Sequence, residues 1–337
     1  MLPEKNIVLG ALRKILLFLA FLTFLAMAAW CVMALVYSNF PAGLRMGAAD
    51  IFIIAVVVIV ILPGRTSRKM IYFLSLFALV FLWWFFLPPS NNRDWLPDMA
   101  VLPYADISSS SVTVHNIRNC DYRTEKDYTV RHYDETLDLP SLRSMDLFLV
   151  DWGLPHLAHA MLSFGFGGGK YLCFSIETRK KKGEDYSSLK GFFRQYELAY
   201  VVADERDVVR LRANYRKGED VYLYHIIADQ AIIRDIFLDY LRTVNRLKAK
   251  PQWYNGLTAN CTTGIWKHVV PYYPKARLDW RILLSGHLPE MLYGLGVVDT
   301  TLPLPELKRR SLINEKSKAA GRAPDYSRII RQGLPGF

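Results

Sequence analysis

Three apolar stretches open the chain. Residues 15–37 carry no charge over 23 positions, enough for a helix rising about 1.5 Å per residue to cross a hydrocarbon core of about 30 Å. Residues 51–62 reach spanning length only when extended back across Asp50. The third stretch ends in an aromatic WWFF belt and two prolines that stop a helix. The pattern predicts a membrane anchor over 1–89 with spans near 15–37, 46–62 and 70–87.

Basic residues give this anchor an orientation, because positive charges near span ends stay in the cytoplasm. They precede the first span and separate the second from the third, as Lys5, Arg13 and Lys14 and as Arg65, Arg68 and Lys69. The loop between the first two spans holds only Arg45. Three spans then place residues 90–337 in the periplasm of a bacterial inner-membrane protein. A re-entrant second segment would place them in the cytoplasm, and a signal peptide is disfavoured by the length of the first stretch.

Beyond the anchor, alternating runs predict a hairpin within one α+β domain. Residues 157–166 and 171–179 are strand-like and flank the glycine turn 167–169. The period of two places Leu172, Phe174 and Ile176 on a face of the second strand that suits a core. The other face suits a polar site and carries Cys173, Ser175, Glu177 and Arg179.

Further elements follow this hairpin. Residues 198–202 and 220–224 are strand candidates, because they are short, apolar and rich in branched and aromatic side chains. Residues 229–247 repeat apolar positions at i, i+3 and i+4, which is typical of an amphipathic helix.

Composition decides between two kinds of partner. The 337 residues include 42 lysines and arginines against 31 acids, a net charge of +11, and 52% are apolar, which excludes a disordered or fibrous chain. A basic balance is also typical of nucleic-acid binding. Seven of the basic residues lie within the apolar region 1–87, so the anionic membrane surface is the expected partner and nucleic acid is not.

Cysteine usage points to an available thiol. Cys31 lies in the first span, and an odd number lies in the outer domain: Cys120, Cys173 and Cys261. In an oxidising compartment an odd count leaves one thiol free or paired with another chain. The sequence has no C-x-x-C spacing, so we expect neither a zinc knuckle nor a thioredoxin-type site, and no metal or cofactor.

Cys261 is the candidate nucleophile, because it stands at the predicted start of a helix with Thr258 or Asn260 as N-cap. The helix dipole and unpaired amides there favour a thiolate, and the same amides can hold an oxyanion. A general base is also needed. The candidates are His159, His156 and His268. The last is the poorer partner, because seven positions along a helix separate it from the thiol by about 10 Å.

Each of these features also has a structural interpretation. A lone cysteine is more often buried than catalytic, and His159 between two alanines could be a core histidine. Glu177 and Arg179 could form a surface ion pair. The run 204–207 is typical of a charged turn near Arg212.

Short motifs follow one another over about residues 110–270: Asn116-Ile117-Arg118-Asn119, Asp121-Tyr122-Arg123, His159-Ala160 with Ser163-Phe164, Ser175-Ile176-Glu177-Thr178-Arg179, Tyr254-Asn255 and Asn260-Cys261-Thr262-Thr263. Their order resembles that of the periplasmic domain of the Lnb lipoprotein N-acyltransferases. That family resembles a circularly permuted papain-like (NlpC-type) fold, in which the histidine strand precedes the cysteine helix. The lecithin:retinol acyltransferases share this order.

The resemblance implies an acyltransferase that works through a cysteine thioester. Cys261 would be the nucleophile, His159 the base, and Glu177 or Ser175 the group that orients the imidazole. Supporting positions would be Asn260, Thr262, Ser175, Arg179 and Tyr254. Cys120 stands where the family has an aromatic residue, which suggests a buried substitution without a catalytic role.

The implied substrates are lipids. The acyl donor would be a diacylglyceryl lipoprotein or a phospholipid, and the acceptor would be the α-amino group of a lipoprotein's N-terminal cysteine. The residues by themselves leave two alternatives open. One is a cysteine hydrolase of peptide or amide bonds in the cell envelope, and the other is a membrane-tethered binding module without enzymatic activity.

Overall fold

The computed structural model of the chain describes residues 2–154 and 156–337. It divides into two compact units, the residues up to Pro89 together with Leu189–Gln195, and the rest of the chain. The long helices of the first unit are α1 (Leu2–Val36), α2 (Ala42–Ile61) and α3 (Thr66–Phe85). They contain three stretches long and apolar enough to cross a membrane, Leu9–Val36, Gly43–Ile61 and Thr66–Phe85.

The second of these helices is longer than the sequence indicated. It begins at Ala42, directly after Pro41, rather than near residue 46. A proline suits this place, because the first N–H groups of a helix have no partner within the helix. Within the unit, Cys31, Phe52 and Val80 are buried between the three helices.

Residues 189–195 belong to the first unit although they are distant in sequence. Arg194 donates hydrogen bonds to the carbonyls of Trp84 (2.9 Å) and Phe85 (2.6 Å), at the end of α3. Its guanidinium also lies 4.4 Å from the centre of the Trp84 ring. The last carbonyls of a helix have no partner within it, so Arg194 caps this end and adds a cation–π contact.

The second unit is built on an eight-stranded sheet. The strands are β1 (Tyr104–Ile107), β2 (Ser111–Arg118), β3 (Asp121–Tyr122), β4 (Tyr128–Thr129), β5 (His132–Asp138), β6 (Leu142–Asp151), β7 (Ala158–Phe166), β8 (Lys170–Arg179), β9 (Glu197–Ala203) and β10 (Asp220–Ile226). The sheet order is β1-β2-β9-β8-β7-β6-β10, β5 pairs with β2, and β3 and β4 form a separate ribbon. Only the pairing of β2 with β9 is parallel among the described strands.

Helices cover both faces of this sheet. They are α4 (Pro97–Ala100), α5 (Glu205–Arg210), α6 (Gln230–Ala249), α7 (Cys261–Val269), α8 (Trp280–Leu283), α9 (Leu288–Leu295), α10 (Leu304–Ser311), α11 (Asn314–Ala320) and α12 (Tyr326–Ile329). A π-helical turn, Leu211–Tyr215, continues α5. One core lies between the sheet and α6, with Phe237 fully buried, and the other lies beneath α5 and α12, with Val209 fully buried.

The predicted fold class is confirmed: three apolar N-terminal helices precede a mixed α/β domain. The predicted hairpin is present as β7 and β8, with a register from Met161 opposite Ser175 to Phe166 opposite Lys170. The face of β8 that was expected to suit a polar site is covered as well, because helices lie on both sides of the sheet. Cys173, on the face expected to be polar, is fully buried.

The interpretation of residues 204–207 as a charged turn is wrong. Asp204 is the N-cap of helix α5, and its side chain accepts a hydrogen bond from the N–H of Arg206. Glu205 and Asp207 are completely buried. Asp207 pairs with Arg118 at 2.9 Å, and Glu205 pairs with the C-terminal Arg331 at 2.6 Å. Buried carboxylates need such partners, because an unpaired charge is costly away from water.

Candidate active site

The candidate site forms where two neighbouring strands part. Pairing between β7 and β8 ends at Met161 and Ser175, whereas β8 continues to Arg179 in pairing with β9. Helix α7 packs against both strands at this point. Gly264 permits the close approach, because a Cβ atom there would lie 2.5 Å from Cδ1 of Ile176. The parting of the strands therefore accommodates the first turn of α7, which begins at Cys261.

A capping box defines the start of helix α7. The Asn260 side chain accepts a hydrogen bond from the N–H of Thr263 at 2.8 Å, and the Thr263 hydroxyl accepts one from the N–H of Asn260 at 3.0 Å. Of the two predicted caps, Asn260 is the one present. The N–H groups of Cys261 and Thr262 donate to no acceptor within residues 2–154 and 156–337. The first helical turn thus presents two unpaired donors beside the thiol.

Cys261 is the half-buried cysteine of the outer domain, and its thiol lies within interaction distance of the His159 imidazole. Burial by itself disfavours the thiolate. The charge of His159, its hydrogen bond to the sulfur and a hydrogen bond from the N–H of Ala160 outweigh burial, so the pKa of Cys261 lies below its ordinary value. The geometry therefore favours a thiolate paired with an imidazolium.

His159 in turn rests on two polar side chains of β8. Its Nε2 lies 2.8 Å from the Ser175 hydroxyl and 3.3 Å from Oε1 of Glu177. Ser175 donates a 2.6 Å hydrogen bond to that same carboxylate oxygen. Burial by itself lowers the pKa of His159. The charge of Glu177, followed by that of Cys261, outweighs burial and raises this pKa to about 9. Because Nε2 faces β8, we infer that Nδ1 is the ring nitrogen that faces the sulfur.

Arg212 completes this row of charges, and the sequence pattern did not single it out as a site residue. Its Nη2 donates a 2.5 Å hydrogen bond to Oε1 of Glu177, and its Nη1 donates to the carbonyl of Val208 at 3.1 Å. Burial disfavours the charged carboxylate of Glu177, but His159 and Arg212 hold its pKa well below the usual range. The sequence signal that could have identified Arg212 was its position as a charged residue between the apolar Leu211 and Ala213.

Two other histidines considered as bases are occupied elsewhere. His156 is exposed and lies 2.6 Å from His287 through their ring nitrogens. His268 is buried, with Asp239 at 2.7 Å from Nδ1 and the Tyr200 hydroxyl at 2.9 Å from Nε2. Of the three candidates, His159 is the one that the fold brings to Cys261.

The predicted supporting residues separate into two groups. Tyr254 lines the cleft with Cys261, and the Thr262 hydroxyl ties the first turn of α7 to the carbonyl of Ile282 at 2.6 Å. Arg179 lies apart from the cleft and donates to the carbonyls of Met99 (2.9 Å) and Ala100 (3.0 Å). The interpretation of Glu177 and Arg179 as a surface ion pair is therefore wrong, because Glu177 pairs with Arg212 whereas Arg179 binds backbone carbonyls.

The thiol and the imidazole line an open cleft with a volume of about 530 Å³. Trp152 forms part of its wall, with its ring nearly parallel to that of His159 at 6.4 Å between centres. Charged side chains of both signs occur around it, among them Asp185, Arg216 and Lys217. The cleft can admit a polar headgroup or a peptide terminus to the sulfur.

Cys120 and Cys173 are placed very differently from Cys261. Both are fully buried. Burial raises the pKa of Cys120 to about 12 and raises that of Cys173 well above its ordinary value. No disulfide joins any two cysteines in the part of the chain that the structure describes. The site therefore contains the one thiol of the outer domain that is both accessible and activated.

Residues 128–286 match the family model described as the Lnb N-terminal periplasmic domain. This range contains the β7–β8 hairpin with His159, Ser175 and Glu177, and the start of α7 with Cys261. No curated protein and no solved structure matches the chain. The chain thus contains an Lnb-type periplasmic domain, and three helices apolar enough to span a membrane precede this domain in the sequence.

Proposed function

We propose that the chain is a cysteine-dependent lipoprotein N-acyltransferase. It moves a fatty acyl chain, through a thioester on Cys261, to the α-amino group of a lipoprotein's N-terminal cysteine. The observation that carries the proposal is the neighbouring Cys261–His159 pair lining one cleft of an Lnb-type domain, in which the pKa of the thiol is lowered and that of the imidazole is raised. These shifts suit a nucleophile that is already a thiolate and an acid that is already protonated.

In the first half-reaction the Cys261 thiolate attacks the carbonyl carbon of an ester in a diacylglyceryl lipoprotein or a phospholipid. The oxyanion lies within reach of the free N–H groups of Cys261 and Thr262, at the positive end of α7. As the carbon–oxygen bond breaks, the His159 imidazolium gives its proton to the leaving glyceryl oxygen. The products are an alcohol and an acyl thioester on Cys261.

In the second half-reaction the amine of the acceptor attacks the thioester carbonyl. Neutral His159 takes a proton from the attacking nitrogen, and the sulfur leaves as a thiolate. The net change converts one ester and one amine into one amide and one alcohol, and the imidazolium–thiolate pair is restored. Glu177 and Arg212 keep the imidazole oriented and favour its charged form.

The anchor fits this chemistry. We propose an inner-membrane protein with a multi-pass anchor over 1–89 and a catalytic domain over 90–337 in the periplasm, as the basic residues flanking the spans predict. Tethering keeps the thiol near lipid substrates, so the domain does not have to find them by diffusion. The order of the histidine strand β7 before the cysteine helix α7 also supports a permuted papain-like arrangement.

Exchange of the nucleophile tests the proposal. Membranes that carry Cys261→Ala should leave the amino terminus of a diacylglyceryl lipoprotein free, as read by mass spectrometry, whereas Cys120→Ala should leave N-acylation intact. Trapping with a labelled phospholipid should place the acyl group on the peptide containing Cys261. N-acylation at the parental rate by folded, membrane-inserted Cys261→Ala would refute the proposal.

A cysteine hydrolase is the second candidate, and the open cleft with its charged side chains favours it, because water and peptides can enter. It differs from acyl transfer in the acceptor. A hydrolase would release a free acid or a soluble cell-wall peptide, whereas an acyltransferase needs an amine. The binding-module alternative requires Cys261 to be buried and distant from His159, which does not fit their position in the lining of the same cleft.

A further inference from the structure

Helix α7 forms a wall shared by two cavities. Cys261 lines the polar cleft. Thr262, the next residue, and Ile265, one turn further along the helix, line a second cavity of about 510 Å³. The first turn of α7 therefore separates the nucleophile from a second space large enough for a ligand.

The second cavity is apolar. Its walls come from the sheet, α6, α7 and α9, through side chains such as Leu162, Ile232 and Met291. Asp229 and Lys275 are the charged residues among those described around it. A space of this kind offers too few polar partners to hold ordered water, so it suits an apolar ligand.

The position of Ile265 links this cavity to the thiol. Side chains four positions apart lie on the same face of a helix, one turn from each other. Ile265 therefore lies directly beyond Cys261 along α7, and it is half-buried. To enter the cavity, a chain attached to the sulfur would have to follow this face of the helix past Ile265.

We propose that the second cavity holds the acyl chain of the Cys261 thioester, an inference that rests on the proposed function. A peptide would bring backbone amides that apolar walls leave without hydrogen-bond partners, and a phosphate headgroup would bring a charge. A single hydrocarbon chain brings neither. The acyl chain thus occupies the apolar cavity, while its carbonyl and the leaving or attacking groups stay in the polar cleft.

This arrangement makes the enzyme selective for chain length. Each methylene buried in an apolar site strengthens binding by about fourfold. The rate of acyl transfer should therefore rise with the length of the donor chain until the cavity is filled, and then level off. Headgroup identity, which is read in the cleft, should affect the rate independently of chain length.

Photo-crosslinking tests the cavity without relying on catalysis. The full-length Cys261→Ala protein in lipid nanodiscs is mixed with palmitic acid that carries a diazirine at its methyl end. After illumination, peptide mass spectrometry should find the label on cavity residues of α6 and α9, such as Ile232 and Met291. Ile265→Trp, added to this background, should reduce cavity labelling at least about fourfold, because it excludes one methylene or more.

Leu312→Trp is the matched control, because Leu312 is exposed and lies outside the cavity lining. In Leu312→Trp the labelling of the cavity residues should equal that in the Cys261→Ala parent. Label confined to the membrane helices, or equal cavity labelling in Ile265→Trp and Leu312→Trp, would overturn the inference. Met291→Trp repeats the test on the facing helix if Ile265→Trp does not fold. All of these variants lack Cys261, so labelling of the cavity does not depend on catalysis. The cavity inference can therefore fail while the acyltransferase assay succeeds, and the reverse.

Discussion

Arg212 and His159 meet the same oxygen of one carboxylate. Oε1 of Glu177 accepts the 2.5 Å hydrogen bond from Arg212 and lies 3.3 Å from Nε2 of His159. Arg212 is almost completely buried, so its charge is poorly screened by solvent. It holds Glu177 ionised, and ionised Glu177 favours the imidazolium that faces Cys261.

We therefore expect Arg212→Gln to slow formation of the acyl-enzyme by about 10- to 100-fold, as measured by intact-protein mass spectrometry after rapid mixing with donor lipid. Arg212→Lys should restore only part of the rate, because a lysine cannot keep the fork that binds both Glu177 and the Val208 carbonyl. Arg206→Gln is the control, since Arg206 pairs with Asp204 at a partly exposed position. Equal rates in Arg212→Gln and Arg206→Gln would exclude this role for Arg212.

The two pKa shifts of the pair predict a bell-shaped pH dependence. On the acid side the rate falls as the pH drops through the lowered pKa of Cys261, because the thiolate is then protonated. On the alkaline side it falls through about pH 9, because His159 loses the proton that the leaving group needs. In Glu177→Gln the alkaline limb should move to lower pH, since the charge that retains this proton is gone.

Alkylation tests independently whether His159 activates the thiol of Cys261. At neutral pH, iodoacetamide should modify Cys261 faster than Cys120 or Cys173, which are buried and whose pKa values are raised. His159→Ala should reduce the rate at Cys261 by at least about tenfold, the effect of one pKa unit. Site-resolved mass spectrometry gives the three rates in one sample. An unchanged rate in His159→Ala would show that the imidazole does not activate the thiol.

Ser175 and Glu177 should differ in importance, although both contact His159. Ser175→Ala removes a bridging hydroxyl but leaves Glu177 at 3.3 Å from the imidazole, so we expect less than about a tenfold loss of kcat/KM, the equivalent of one hydrogen bond. Glu177→Gln removes the charge and should cost about 100-fold or more. Steady-state kinetics of acyl transfer to a lipopeptide amine give kcat/KM for both variants. The reverse order would mean that Ser175, and not Glu177, orients the base.

The C-terminal segment should act on stability. Arg331 is buried and pairs with Asp146 (2.9 Å) and Glu205 (2.6 Å), which are themselves completely buried. Arg331→Met removes the cation that two buried carboxylates share and leaves Asp146 with His225 and Glu205 with the Ser163 hydroxyl, so it should lower the free energy of unfolding by about 3–5 kcal/mol in denaturant titrations. Arg328→Met removes an exposed pair with Asp325 and should cost about 0–1 kcal/mol. Similar losses in the two variants would contradict a buried anchoring role for Arg331.

Elements that depend on local patterns could be predicted from the sequence. Apolar runs, the second of them extended across Asp50, predicted the three apolar helices, because a span needs about 20 mostly apolar residues in a row. The period of two predicted the hairpin of β7 and β8, and the N-cap residues predicted where α7 starts. Cys261 and His159 could be chosen as candidates, because a thiol at a helix start and a nearby histidine have recognisable chemistry.

The contacts between residues distant in sequence depend on the tertiary fold. Arg212 approaches Glu177 across 35 positions of sequence, and Arg331 reaches Glu205 across 126. Sheet order and helix packing create such contacts, and no local spacing encodes them. The same cause explains the errors: Arg179, Glu205 and Asp207 look like surface charges in the sequence, but the fold covers both faces of the sheet and buries them against partners far along the chain.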